Sequence, residues 1–209
     1  YIITIMTTNN IPEFICHRIN TIKELEKIDT HYGVEIDIRD DPNTENIHIA
    51  HDPFILGENL EKYLSHYKHG TLILNVKSER VELKAIELLK KYEITNYFFL
   101  DSSFPMMVLL NKKLDNKNIA CRFSEYEIIE QYRHIKTMVN TVWVDCFTIL
   151  PLTKSIQEEV NNDGNKTCIV SPELQGKPED IEKYKLQLKE NNIFPDMICC
   201  KRYNIELWL

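Results

Sequence analysis

Gly33-Val34-Glu35-Ile36-Asp37-Ile38-Arg39 alternates apolar and charged residues with a period of two. A β-strand puts Val34, Ile36 and Ile38 on one face and Glu35, Asp37 and Arg39 on the other. Two carboxylates one pleat apart repel each other, and each raises the other's pKa unless a cation sits between them. A divalent metal is the economical explanation, since hard cations take carboxylate oxygens. The stretch resumes at Ile47-His48-Ile49-Ala50 and ends on a histidine, His51-Asp52.

Outward from that strand, short β-branched or aromatic runs recur at residues 14–17, 34–39, 71–77, 97–101, 119–123, 142–146, 167–171 and 197–201. Amphipathic helical patterns lie between them at 21–28, 58–67, 79–92, 104–114, 125–135, 152–161 and 178–191. Unbroken β-α alternation predicts parallel strands covered by helices. Eight such strands either lie in an open doubly wound sheet or close as a (β/α)8 TIM-type barrel. The strand ends favour the barrel. They carry His17, Arg39, Lys77, Asp101, Arg122, Asp145, Ser171 and Lys201, and a barrel gathers groups from all its strands at one mouth, whereas an open sheet uses one switch point. The reading is a single α/β barrel domain over residues 1–209, with a short excursion after strand two around Ile47–Ala50 and a reduced C-terminal helix, since only residues 202–209 follow the last strand.

Composition narrows the class. The chain is 43% hydrophobic and 27% charged, with a net charge of −7, the balance of a soluble globular protein. Its Lys, Arg, Asp and Glu are interleaved, so no nucleic-acid-binding arm and no basic membrane patch are expected. No apolar run reaches membrane-spanning length. The apolar opening at residues 1–6 lacks a basic start and a cleavage site, so it does not read as a signal peptide, and Met6 is a candidate natural start. The six cysteines, Cys16, Cys121, Cys146, Cys168, Cys199 and Cys200, sit in or beside apolar runs without zinc-ligand spacing. They read as reduced core thiols, which places the chain in the cytoplasm.

The mouth predicted by this arrangement holds two histidines, His17 and His51, the Glu35 and Asp37 pair, Asn75 and Lys77 facing inward together, and further round Arg122, Asp145, Glu173 and Lys201. Carboxylates for a metal, cations and two imidazoles suit a phosphodiester: metal and cations neutralise phosphate, and imidazoles move protons. Plainer roles stand beside these. Arg18, Arg39, Arg122 and Lys201 either contact phosphate or form ion pairs with Asp101, Asp145 or Glu173. Thr21 or Asn20 is a helix cap, and Trp143 fills the interior or serves as a platform for a headgroup. His31, His48, His66, His69 and His134 read as ordinary surface or core residues.

His17-Arg18, Asn20-Thr21, Glu35-x-Asp37, His51-Asp52 and Asn75-x-Lys77, in that order, resemble the glycerophosphodiester phosphodiesterase and phosphatidylinositol-phospholipase-C-like superfamily of barrel enzymes. The resemblance covers about the first third of the chain. It implies that His17 and His51 act as general acid and base, and that Glu35 and Asp37 bind Mg²⁺ or Ca²⁺ with the strand-three residue. It also implies that Lys77 contacts phosphate. The sequence departs from the pattern at Asn75, where the family has an acid, and in the loops after His17-Arg18 and before His51. The function implied is metal-dependent cleavage of a glycerophosphodiester or a related headgroup or sugar phosphodiester. Arg18, Arg122, Glu173 and Lys201 are further candidates to meet this small-molecule substrate. Two alternatives are a catalytically weak barrel that binds a phosphorylated ligand, motivated by Asn75, and a Schiff-base enzyme using Lys77 or Lys201.

Overall fold

A computed structural model of the protein describes residues 11–41 and 43–209. Residues 1–6, read above as no signal peptide, lie outside the described residues. The first half of the chain forms β1 (Glu13–Cys16), α1 (Ile22–Leu25), β2 (Gly33–Asp40), β3 (Ile47–Ile49), β4 (Glu58–Asn59), α2 (Leu60–Leu64), β5 (Leu72–Val76), α3 (Val81–Lys91) and β6 (Tyr97–Leu100). There follow α4 (Phe104–Leu114), β7 (Ala120–Phe123), α5 (Ile129–Ile135), β8 (Thr141–Val144), α6 (Lys154–Asn162), β9 (Lys166–Val170), α7 (Ile181–Glu190), β10 (Met197–Cys200) and α8 (Ile205–Trp208). Eight strands run parallel in the order β6-β5-β2-β1-β10-β9-β8-β7.

The excursion after β2 is an antiparallel addition, with β3 pairing β2 through Ile38–Ile49 and Arg39–His48, and β4 pairing β3. It returns the chain to the mouth at His51. Gly57 has no alternative there, because a Cβ would sit 1.7 Å from the Ile49 carbonyl oxygen.

The strands form a curled, mostly parallel sheet of the kind predicted from the sequence. Its two ends, β6 and β7, meet at one parallel bridge, Phe99 with Ile119, supported by the Phe99 N–H donating to the Asn118 carbonyl at 2.9 Å. The chain entering β7 is a turn. Asp115 has a left-handed backbone (φ 46°), the Asn118 N–H donates to Asn116 Oδ1, and Asn116 Nδ2 donates to the Tyr97 hydroxyl. That turn replaces the ladder that residues before Ala120 would otherwise supply.

The sheet separates two apolar layers. Val34, Ile36 and Ile38 of β2 pack outward with the helices, as the alternation predicts. Inside the curl, Ile15, Ile73, Phe98, Leu100, Ala120, Trp143, Cys168, Val170, Met197 and Cys199 form a second, smaller cluster, as expected for strands buried on both faces. Trp143 belongs to this interior filling and stands at its top. Above this floor the same faces of β1, β2, β5, β7, β8 and β10 turn polar, and that layer is the mouth.

Several helix ends follow local chemistry. Thr21 makes a capping box with Glu24 at the start of α1, which leaves the neighbouring Asn20 side chain for the mouth. Ser103 caps α4, whose first turn carries Pro105. The pattern at 178–191 opens with a 3₁₀ turn, Pro178–Asp180, before α7 begins. A 3₁₀ turn, Arg202–Asn204, and the four-residue α8 follow β10. All six cysteines are free and buried, and burial pushes the thiols up, to about 11 for Cys16 and about 12 for Cys121. Among the described residues no helix is long and apolar enough to cross a membrane.

Candidate active site

Glu35 and Asp37 are wholly buried, pointing into the curl from β2. Glu35 Oε2 accepts the Arg18 N–H at 2.8 Å and Oε1 accepts Asn75 Nδ2 at 2.9 Å. Asp37 Oδ2 accepts Asn20 Nδ2 at 2.9 Å, and the Asp37 N–H donates to Asn20 Oδ1 at 3.0 Å. Arg18 has a left-handed backbone (φ 55°), as does Asp101 at the end of β6 (φ 64°). Non-glycine residues in that region carry strain and cluster at functional sites. In Arg18 the turn aims the N–H at Glu35.

Two buried oxygens at this point, Asp37 Oδ1 and Asn75 Oδ1, have no hydrogen-bond partner among the described residues. Asn75 lies in register opposite Asp37. Burial and the neighbouring Asp37 carboxylate push Glu35 well above the usual carboxylate range. Lys77 Nζ stands 3.6 Å from Asp37 Oδ1, and Arg18 Nε stands 3.8 Å from Asp37 Oδ2, so cations offset part of this charge. No three His, Cys, Asp or Glu side chains converge as a metal cluster among the described residues; the third oxygen is the amide of Asn75. Two carboxylates and an amide oxygen, with two of their atoms buried and unpartnered, fit a hard oxygen-seeking cation.

The histidines frame this pair. His17 Nε2 lies 3.8 Å from Glu35 Oε2, and its Nδ1 meets Lys201 Nζ at 3.0 Å. A lysine ammonium only donates, so Nδ1 accepts and the neutral ring carries its proton on Nε2. Burial, then the charges of Lys201 and Arg18, with His51 and Lys77, push His17 down to about 3. His51 is more exposed, at the rim. Its Nδ1 is 2.7 Å from Asp52 Oδ1 and its Nε2 is 2.5 Å from Arg18 Nη2. The carboxylate requires a proton on Nδ1, which leaves Nε2 as the basic nitrogen.

Cations and acids complete a cavity of about 410 Å³, whose lining includes His17, Glu35, Lys77, Arg122, Glu173 and Lys201. Asn75, Arg18 and Trp143 also reach it. Two candidates have protein partners of their own, and for Arg122 these are the ion pairs that stood as its plainer role. Arg122 Nε donates to Asp101 Oδ1 at 2.7 Å and its Nη1 pairs with Asp145 Oδ2, so its charge is largely spent on tying β6 and β8 across β7. Burial raises Asp145 to about 6 even so. Glu173 accepts from Ser171 Oγ and, at 2.9 Å, from the Lys201 N–H. Trp208 Nε1 in turn donates to Ser171 Oγ at 2.8 Å.

The candidates named from the sequence, Arg39 apart, reach or border one mouth. Arg39 Nη2 instead donates to the His51 carbonyl at 3.1 Å. Sequence reasoning missed Asn20 as the Asp37 partner, Lys201 as the His17 partner and the Trp208–Ser171–Glu173 link. Each joins positions far apart in the chain, which no local periodicity reveals.

No family model matches the sequence, and no curated protein matches it. The fold is shared with solved structures. A glycerophosphodiester phosphodiesterase from Agrobacterium tumefaciens str. C58 superimposes with a TM-score of 0.65 at 12% identity, over 91% of this chain and 97% of that one. A glycerophosphoryl diester phosphodiesterase from Parabacteroides distasonis ATCC 8503 gives 0.66 at 14% identity, over 96% and 87%. An Oleispira antarctica phosphodiesterase, solved in complex with its product sn-glycerol-3-phosphate, gives 0.66 at 16% identity, over 90% and 92%.

Proposed function

We propose that the protein is a phosphodiesterase of the glycerophosphodiester phosphodiesterase type, a single barrel-derived domain that cleaves a small phosphodiester with the help of Mg²⁺ or Ca²⁺. One observation carries the reading: the buried Glu35 and Asp37 pair has His17 Nε2 3.8 Å from Glu35, Lys77 and Arg18 3.6 and 3.8 Å from Asp37, and Arg18 joining it to His51. The single bridge between β6 and β7 supports a closed (β/α)8 barrel as the parent form.

Glu35, Asp37 and Asn75 would hold the ion. When bound it supplies positive charge against the phosphate as negative charge develops there. Lys77, Lys201 and Arg18 face the same cavity, so an arriving phosphate gives them an anion to turn to. Lys201 and Arg18 then press less on His17, whose pKa rises, and the protonated ring can give its Nε2 proton to the leaving oxygen. Arg18, drawn to phosphate, releases His51 Nε2, which Asp52 holds in the correct tautomer to accept the proton of the attacking hydroxyl. Arg122 and Glu173 shape the wall and hold their neighbours.

His17→Ala and His51→Ala should each lower turnover by about 10²–10⁴-fold. A nitrophenyl leaving group needs no protonation, so His17→Ala should cost less on a nitrophenyl diester than on an alkyl diester. His51→Ala should cost similar factors on both. Steady-state rates on the two substrates separate the roles. Wild-type rates in both variants on both substrates would overturn the reading in favour of a barrel that only binds a phosphorylated ligand, for which the Asn75–Glu35 hydrogen bond is the motivating feature.

A further inference from the structure

The excursion after β2 carries a surface that proton transfer and phosphate binding leave unused. Phe54, Ile55 and Leu56 are consecutive and exposed, Phe54 completely at 105%. Phe54 also has a left-handed backbone, φ 65°. Apolar residues scattered singly over a surface need no explanation, whereas a contiguous patch marks a site of contact. With Pro53 these three wall a cavity of about 410 Å³ whose remaining lining is Arg39, Asp40, Asn43 and His48. That volume falls in the range of small-ligand pockets.

The cavity is joined to the mouth through His51. Arg39 Nη2 donates to the His51 carbonyl, and the His51 ring meets Arg18. Pro53 follows His51 by two residues. His48 Nε2 fixes the wall by donating to the Ile55 carbonyl at 3.1 Å. A substituent of the phosphorus that passes His51 would meet Pro53 and the apolar wall that follows it.

The charges discriminate between occupants. Asp40 lines the cavity, and Asp41, Asp52 and Glu58 flank it in the chain. An anionic membrane surface favours basic segments, and this rim is acidic. A second copy of the chain would bring the same carboxylates face to face. An alkyl chain carries no charge and matches the apolar wall. We propose that this groove binds one alkyl or acyl chain of the substrate, so that the preferred substrate is a phosphodiester bearing a single long apolar chain. The inference rests on the phosphodiesterase reading and specifies its substrate class.

The test is a series of nitrophenyl alkyl phosphodiesters, methyl to octyl, assayed below their micelle concentrations with Mg²⁺ or Ca²⁺. In the wild type kcat/KM should rise at least about tenfold along the series, a modest fraction of what burying several methylenes yields. The double variant Phe54→Ser, Leu56→Ser alters exposed side chains; it should flatten the rise and leave the methyl ester rate unchanged. Equal kcat/KM for methyl and octyl esters in the wild type overturns the groove inference and leaves the phosphodiesterase reading standing. Failure to cleave even the methyl ester overturns both. Loss of phosphatidylcholine vesicle binding in the double variant, without any chain-length effect in the wild type, assigns the patch to a bilayer and also overturns the proposal.

Discussion

Asp37 Oδ1 and Asn75 Oδ1 are the atoms that motivate the proposed cation at the scale of single residues. Buried polar atoms in folded proteins nearly always have partners, and each exception calls for an explanation. Two exceptions beside a pair of buried carboxylates are what the proposed ion would satisfy together. Glu35→Gln removes a formal charge and should abolish most divalent binding, whereas Asn75→Asp adds one and should tighten it. Calorimetric titration with Mg²⁺ and Ca²⁺ reads both. Since Glu35 is raised above the usual carboxylate range by burial and by Asp37, the ion must displace a proton where Glu35 is protonated. Affinity should therefore fall, and proton release per ion rise, as the titration moves from mildly alkaline to mildly acidic pH. Equal affinity in Glu35→Gln and the wild type would remove the carboxylates from the ligand set.

The ends of β1 and β10, with α8 behind them, form the unit that sets the state of His17. The strands pair in register up to Cys16 and Cys200, so the next residues, His17 and Lys201, emerge side by side. Trp208 holds Ser171, Ser171 holds Glu173, and Glu173 fixes the Lys201 backbone. Burial and then Lys201 depress His17 to about 3, below its unfolded value of about 6.5. Below the unfolded pKa the unfolded chain binds more protons, so this residue's contribution makes the fold lose stability as pH falls from about 6.5 towards 3. Lys201→Met keeps much of the stem packing and removes the charge. The His17 ring should then titrate at higher pH by NMR, and the acid loss of stability should narrow. A His17 titration unchanged in Lys201→Met would show that Lys201 does not set its state.

At the scale of the whole molecule, the curl brings chain-distant residues to one mouth. All eight core strands were legible in the sequence because each is a short apolar run bounded by turns, and β2 revealed its faces through strict alternation. The gathering of His17, Glu35, Asp37, Asn75 and Lys77 was legible because alternation within β2 and β5 aims Glu35, Asp37 and Asn75 to one face and because His17 and Lys77 directly follow β1 and β5. The seam between β6 and β7 was not legible: the turn at Asp115–Asn118 depends on Tyr97 and on a left-handed Asp115, neither of which hydrophobic periodicity records. Arg122 stood open between phosphate contact and an ion pair, and the structure shows the pairs, because Asp101 and Asp145 come from the strands on either side of it. The apolar run at Phe54–Leu56 was not legible as a surface feature, since only the folded excursion shows how exposed it is. The central claim, that this mouth cleaves phosphodiesters, is tested most directly by following glycerophosphocholine with the purified protein and Mg²⁺ or Ca²⁺ by ³¹P NMR. The expected result is loss of the diester resonance, with a phosphomonoester or cyclic phosphate appearing, stopped by chelator and by His17→Ala. A diester resonance unchanged at stoichiometric protein with either ion, on long incubation, would contradict it.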